Sequence, residues 1–371
     1  MRIAQVAPLA ESVPPSLYGG TERVVSWLTE ELVRLGHDVT LFASGDSRTA
    51  ARLHASVPKA LRLQPHIVDH SVYNGILLGD VADRAEEFDV IHSHLDVVGM
   101  PLLRSLAAPT LHTLHGRLDL DDLKPFYERF PDEPLVSISD HQRLHLPVDV
   151  NWAGTVLHGL PEDELPFRAE PDGYLAFLGR ISPEKRPDRA IEIAARSGIP
   201  LKIAAKVDRV DREYWETMIE PLIRHHRGLV EYVGEVGGRD KADFLGGASA
   251  LLFPIDWPEP FGLVMIEAMA CGTPVLAWRN GSAPEVLEDD VTGVLVEEMS
   301  GALAAVERVL RIDRQGVRAA FEKRFSARRM AEEYVRLYER LVGMRDRAPD
   351  DVAGATRLGV GEAPGTVHLA E

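Results

Sequence analysis

What most constrains this chain is a rhythm that runs, stops once and restarts. Short apolar runs of strand length alternate with longer stretches of helical periodicity. Arg2–Ala7 reads as a strand, and Thr21–Leu35 then places Val24, Val25, Leu28, Leu32 and Leu35 at helical spacing before Gly36 ends it. His37–Ala43 reads as the next strand, and further runs follow at Val90–Ser93, Thr110–Thr113, Leu135–Ile138 and Thr155–Leu157. Such alternation is the pattern of a parallel sheet with helices on both faces. The stretch Leu160–Asp172 breaks it with Pro161, Pro166, Pro171 and several acidic residues, and reads as an exposed linker. The rhythm then returns: strands at Tyr174–Leu178, Leu201–Ala205, Leu229–Val233, Ala250–Phe253, Pro274–Ala277 and Gly293–Val296, with a helix at Arg186–Arg196.

Two βα domains are the simplest account, at residues 1–160 and 173–324, joined by a linker at 161–172. A last helix, at 325–345, gathers Met330, Tyr334, Leu337, Tyr338 and Leu341 on one face, and a tail at 346–371 has the composition of disorder. A cleft between such domains, at the carboxyl ends of their strands, is where a ligand is expected.

Charge removes several classes of function. With 41 Lys+Arg against 58 Asp+Glu the net charge is −17, which disfavours nucleic acid as a partner, since that needs a basic face. Cys271 is the one cysteine, so an intramolecular disulfide and a cysteine-rich zinc site are excluded. No apolar run is long enough to span a bilayer, and the apolar start is too short for a secretory signal. The chain therefore reads as cytoplasmic, with peripheral work at the inner face of a membrane left open.

The most informative stretch is Phe253–Val275. A strand ends at Phe253, a proline-rich loop carries Glu259, and a helix runs from near Gly262 to Gly272 with Glu267 inside it. Helix-start N–H groups at Phe261, Gly262 and Leu263 would share a space with Glu259, an arrangement that suits a hydroxylated, anionic ligand. The second stretch, Gly179-Arg180-Ile181-Ser182-Pro183-Glu184-Lys185-Arg186, follows a strand and opens a helix. Arg180, Lys185 and Arg186 there form a small cationic cluster where phosphates bind in open α/β sheets. In the first half, Gly19-Gly20-Thr21 forms a glycine loop after the first strand, and histidines cluster at strand ends: His92 and His94, His112 and His115, and His141.

Together these motifs resemble the glycosyltransferase family 4 enzymes, whose fold is GT-B. The resemblance covers nearly the whole chain before the tail. It implies two Rossmann-like domains facing a central cleft, with the last helix crossing back to the first domain. It implies transfer of a sugar, with retention, from a nucleotide-diphosphate donor to the hydroxyl of a small-molecule, glycan or lipid-linked acceptor, and neither a cofactor nor a metal. Arg180 and Lys185 would hold the diphosphate, Glu259 the sugar hydroxyls and Glu267 the ribose, with backbone at Phe261, Gly262 and Leu263 and the loop at Gly20 completing the donor site. His115 would sit beside the donor sugar, and Thr21, His94, Asp96 and His141 near the acceptor. His158 departs from the family's usual Asn-Gly at that turn. Two rivals stand beside this reading: a metal-dependent hydrolase built on His92 and His94, which share one face of a strand, and a nucleotide-sugar-binding protein without catalysis. Donor base and sugar are not legible, since backbone contacts, for example near Val233–Gly238, leave little side-chain signal.

Overall fold

The computed structural model describes residues 1–16 and 19–345. Tyr18 and the tail at 346–371 lie outside the described residues. Two parallel sheets organise the chain. The first holds β1 (Arg2–Val6), β2 (Asp38–Ser44), β3 (Arg52–Val57), β4 (Val90–Ser93), β5 (Thr110–Thr113), β6 (Leu135–Ser137) and β7 (Trp152–Thr155), in the order β3-β2-β1-β4-β5-β6-β7. The second holds β8 (Tyr174–Arg180), β9 (Leu201–Lys206), β10 (Val230–Gly234), β11 (Ala248–Phe253), β12 (Val275–Trp278) and β13 (Gly293–Val296), in the order β10-β9-β8-β11-β12-β13.

Both orders reverse direction once. The reversal falls between β1 and β4 in the first sheet and between β8 and β11 in the second. Loops leaving the two strands at such a point go to opposite faces of the sheet and leave a crevice at the carboxyl edge. The glycine loop follows β1 and His94 follows β4, while Arg180 closes β8 and the Glu259 loop follows β11. The topology alone thus brings the sequence motifs to two facing crevices.

Most expected strands lie within a residue or two of their observed bounds. The strand expected at Thr155–Leu157 instead runs Trp152–Thr155, and β3 and the helix Ser71–Asp83 were not read from the sequence at all. β3 is an edge strand whose Arg52 and Leu53 are exposed, so it lacks the apolar run that marks a central parallel strand.

The segment after β7, expected as a linker at 161–172, is exposed along most of its length but is pinned at its start and at Leu165. Its charged residues Glu162, Asp163 and Glu164 face solvent, but Leu160 and Leu165 are buried. Leu160 N–H donates to Phe325 O at 3.0 Å, and Ala327 N–H returns a bond to Leu160 O at 2.9 Å. The chain crosses between the halves twice, and the two crossings are stitched side by side. After the second, the helix Ala327–Arg345 lies against the first half. It packs on the helix Gly20–Arg34 and on β4, burying Met330, Ala331, Tyr334, Leu337 and Tyr338.

Candidate active site

Between the sheets lies a cavity of about 460 Å³ with walls from both halves, in the range of small-molecule sites. Of the residues singled out from sequence, Gly20, Thr21, His115, Arg180, Lys185, Glu259, Phe261, Gly262, Leu263 and Glu267 line it.

The second half supplies charge. Lys185 Nζ forms an ion pair with Glu259 Oε2 and sits 4.8 Å over the Trp257 ring. Trp257 Nε1 donates to the same carboxylate oxygen at 2.9 Å, so one carboxylate is held by two donors. Arg180 donates to Glu184 at 2.6 Å, and Lys241 to Glu267 at 2.7 Å. Glu267, which a solvent-facing helix position would expose, is buried against Lys241. The helix Leu263–Ala270 starts after Gly262, whose φ of 75° is left-handed and whose place no side chain caps. A Cβ at Gly262 would stand 2.9 Å from the Phe253 ring and from Met265 Cε, so glycine is required there.

Sequence reasoning passed over the support beneath Glu259. Gly281 (φ 56°) lies so close that a Cβ would stand 2.3 Å from Glu259 N. Ser282 N–H donates to Glu259 O at 2.9 Å, and Ser282 Oγ to Phe261 O at 2.7 Å. The Asn280-Gly281-Ser282 turn signal was available in the sequence, but its target lay in a different loop.

Arg186 is a correction. Read with Arg180 and Lys185 as one cationic cluster, it turns out of the cleft instead. Its backbone is left-handed at φ 54°, and its guanidinium reaches Asp188 at 2.8 Å and Asp256 at 2.8 Å. Asp188 sits in the first turn of the helix Pro187–Ser197 and draws the cation to itself.

The first half supplies a cluster of neutral imidazoles beside charged side chains at Glu11, Glu22, Arg62 and Arg117. His115 Nε2 lies 2.9 Å from His94 Nδ1, and His94 Nε2 lies 2.9 Å from Gln5 Oε1. His158, the departure from the family pattern, stacks on His115 at 5.4 Å between centroids and meets Phe261 of the other half edge-on at 4.8 Å. Burial pushes His115 down to about 3 and holds His94 and His158 well below the usual imidazole range. Three adjacent rings therefore stay uncharged at neutral pH. Glu22 is buried on the same wall, and its carboxyl is raised by that burial.

Three of the acceptor candidates do not reach the cavity. His94 is buried behind His115. Asp96, at a left-handed φ of 48°, accepts from His115 N–H at 2.8 Å and so holds the loop that carries the ring. His141 lies at a latch between the halves, where Glu285 accepts from Asp140 N–H at 2.7 Å and from His141 N–H at 2.5 Å. Ser139 Oγ adds a bond to Pro260 O at 2.6 Å. Strand-end position, which all these residues share, does not distinguish a wall from the layer behind it. Cleft residues that sequence reasoning missed include Glu11 and Arg62, an ion pair at 2.7 Å, and Arg117.

The metal reading of His92 and His94 loses its donors. His92 Nδ1 lies 2.7 Å from Tyr338 OH and its Nε2 2.7 Å from Thr113 Oγ1, while both nitrogens of His94 are engaged as above. Neither ring has a nitrogen to offer.

Two doubly wound parallel sheets, facing across a cleft at their switch points and tied by a last helix that returns to the first, define the GT-B class of α/β proteins. Family comparison gives the finer answer. Residues 18–142 match Glycosyltransferase Family 4 and residues 163–326 match Glycosyl transferases group 1, and the chain belongs to this glycosyltransferase family. A D-inositol 3-phosphate glycosyltransferase of Mycobacterium leprae is 28% identical over 284 residues, 64% of this chain and 64% of that protein. The chain thus spans less than two thirds of that relative's length. Sucrose-phosphate synthase from Thermosynechococcus elongatus shares the fold with a TM-score of 0.75 at 19% identity, over 92% of this chain and 99% of the other. Anabaena HepE, solved in complex with UDP and glucose, does so with a TM-score of 0.69 at 18% identity, over 92% of this chain and 100% of its own.

Proposed function

We propose that this protein transfers a sugar, with retention and without a metal, from a nucleotide-diphosphate donor to an acceptor hydroxyl. One observation carries the reading. Arg180, Lys185 and Glu259, at the switch point of the second sheet, line one cavity with the start of the helix Leu263–Ala270 and with His115. Cations and helix-start N–H groups aimed at one place favour a phosphate there. As the bond from the anomeric carbon to the phosphate oxygen breaks, charge grows on the departing diphosphate. Lys185, Arg180 and the helix end offset it without a metal ion. The acceptor hydroxyl attacks from the same face, and its proton passes to the departing phosphate oxygen, so the step balances without a protein nucleophile. Glu259 and Glu267 accept hydrogen bonds from sugar and ribose hydroxyls.

UDP-glucose, UDP-N-acetylglucosamine and GDP-mannose are the donors to try first, in the presence of a chelator, with mass spectrometry reading both hydrolysis and transfer to a panel of polyol, glycan and lipid-linked acceptors. Consumption of one donor supports the proposal. No consumption of any donor with any acceptor, or activity that chelation abolishes, overturns it.

A further inference from the structure

Behind the cleft wall of the first half runs a chain of hydrogen bonds whose direction can be followed atom by atom. Gln5 and His92 are register partners on β1 and β4, and His94 stands just past the end of β4. Gln5 turns Oε1 toward His94 Nε2 at 2.9 Å and Nε2 toward Tyr338 OH at 3.1 Å. An amide oxygen can only accept, so His94 carries its hydrogen on Nε2. A neutral imidazole has one N–H, which leaves His94 Nδ1 as an acceptor. The atom facing it at 2.9 Å is His115 Nε2, which must then be the donor. In the other direction, Tyr338 OH receives from Gln5 and donates to His92 Nδ1 at 2.7 Å. His92 Nε2–H donates to Thr113 Oγ1 at 2.7 Å, and Thr113 passes its hydrogen to Tyr334 OH at 2.9 Å. Each hydrogen is used once and every link agrees in direction.

We infer that Gln5 and His94 are positioning residues that hold His115 in its Nε2–H tautomer, so that Nδ1 meets the substrate as a hydrogen-bond acceptor. The inference rests on the proposed sugar transfer and sharpens its specificity. The ligand group opposite His115 is a hydroxyl that donates a hydrogen. A carboxylate or carbonyl at the same place would set lone pair against lone pair, with a desolvated acceptor left unmatched. Nucleotide hexoses are therefore accepted over nucleotide uronates wherever the differing group faces His115. Tyr338 and Tyr334 belong to the last helix, so the returning helix takes part in setting the proton position at the cleft.

The test is a long-range ¹H–¹⁵N spectrum of the full chain labelled at histidine, at neutral pH, with His115 assigned by its loss in His115→Ala. The expected result is a pyrrole-type Nε2 and a pyridine-type Nδ1 for His115. His94→Asn keeps an acceptor opposite Nε2 and preserves that tautomer, whereas His94→Leu removes it and produces a mixture. With the active donor, His94→Leu also raises the KM of the nucleotide sugar about tenfold, and His94→Asn restores most of it. An Nδ1–H tautomer in the wild type, or a His115 tautomer unmoved in His94→Leu, overturns the inference, and the wild-type spectrum decides alone if a variant does not fold. The spectrum needs no turnover, so a failure of the tautomer assignment is separable from a failure of the sugar-transfer proposal.

Discussion

Two clusters on the cleft, one from each half, use opposite chemistry. The second half presents ions that are largely paired: Lys185 with Glu259, Arg180 with Glu184, and Lys241 with Glu267. The first half around His115 presents neutral rings tied to one another through Gln5, Tyr338, Thr113 and Tyr334. On the proposed reading an ionic wall exchanges partners: an incoming phosphate would take over a cation whose carboxylate would then be free for a hydroxyl. The imidazole cluster has no charge to exchange, so its value lies in which atom donates and which accepts. That contrast is how a chain with a net charge of −17 would provide for the proposed anionic donor. The cations need not outnumber the acids; they need only sit where the helix end and the switch point converge.

The contrast can be broken most sharply at Lys185. Lys185→Ala should lower kcat/KM for the nucleotide sugar by roughly 10²–10³-fold, as for loss of one donor at a developing charge, with a folded protein by circular dichroism. Full activity in that variant would remove the ionic wall from the mechanism. Next is Gly281→Ala, at a position outside the cavity lining. Its φ of 56° and the 2.3 Å approach to Glu259 N leave no room for a methyl group. The Glu259 backbone should shift, with a loss in kcat of roughly tenfold to 10²-fold. Unchanged steady-state kinetics would mean that the turn does not position Glu259.

Lys241→Met should act on stability more than the imidazole cluster does. It strands Glu267 without a partner in a buried position, and breaking a buried pair costs about 3–5 kcal/mol. Chemical denaturation reads that loss directly. The smallest effect concerns pH. His115 is held down to about 3 in the folded protein, against an ordinary value near 6.5 in the unfolded chain. A depressed folded value means stability is whole above about 6.5 and is lost as pH falls from there toward about 3, because the unfolded chain binds the proton first. His94 and His158 shift in the same direction and deepen the slope. Stability measured across that window should decline with acid, while kcat/KM shows no break near 6.5 from His115. A histidine-like inflection assigned to His115 by its absence in His115→Asn would place a charge on the cluster described as neutral.

How much could be read from the sequence follows the same division. The ions of the second half stood out: Arg180, Lys185, Glu259 and Glu267 stand in short motifs next to strand ends, and the fold carries all of them to the cavity, whereas Glu11, Arg62 and Arg117 of the first half carry no such motif. The imidazole cluster was legible as a set of strand-end histidines but not as an arrangement. Nothing local separates His115, which lines the cavity, from His94, which lies behind it, or from His141, which joins the latch at Glu285. Those roles depend on Gln5, Tyr338 and Glu285, which are distant in sequence. Arg186 failed for a local reason: Asp188, two residues on, outcompetes the cleft for its guanidinium. Proline and acid marked the exposed linker, but nothing local showed that Leu160 at its start is stitched to Phe325 and Ala327, or that Leu165 within it is buried.

The central claim is that the ionic wall is a diphosphate site, and calorimetric titration of the full chain with UDP, GDP and ADP tests it most directly. The account predicts that one of these nucleotides binds saturably, one per chain, and that Lys185→Ala weakens it by about tenfold or more, the loss of a charge-assisted bond. No binding by any of the three, or equal binding by wild type and Lys185→Ala, would contradict it.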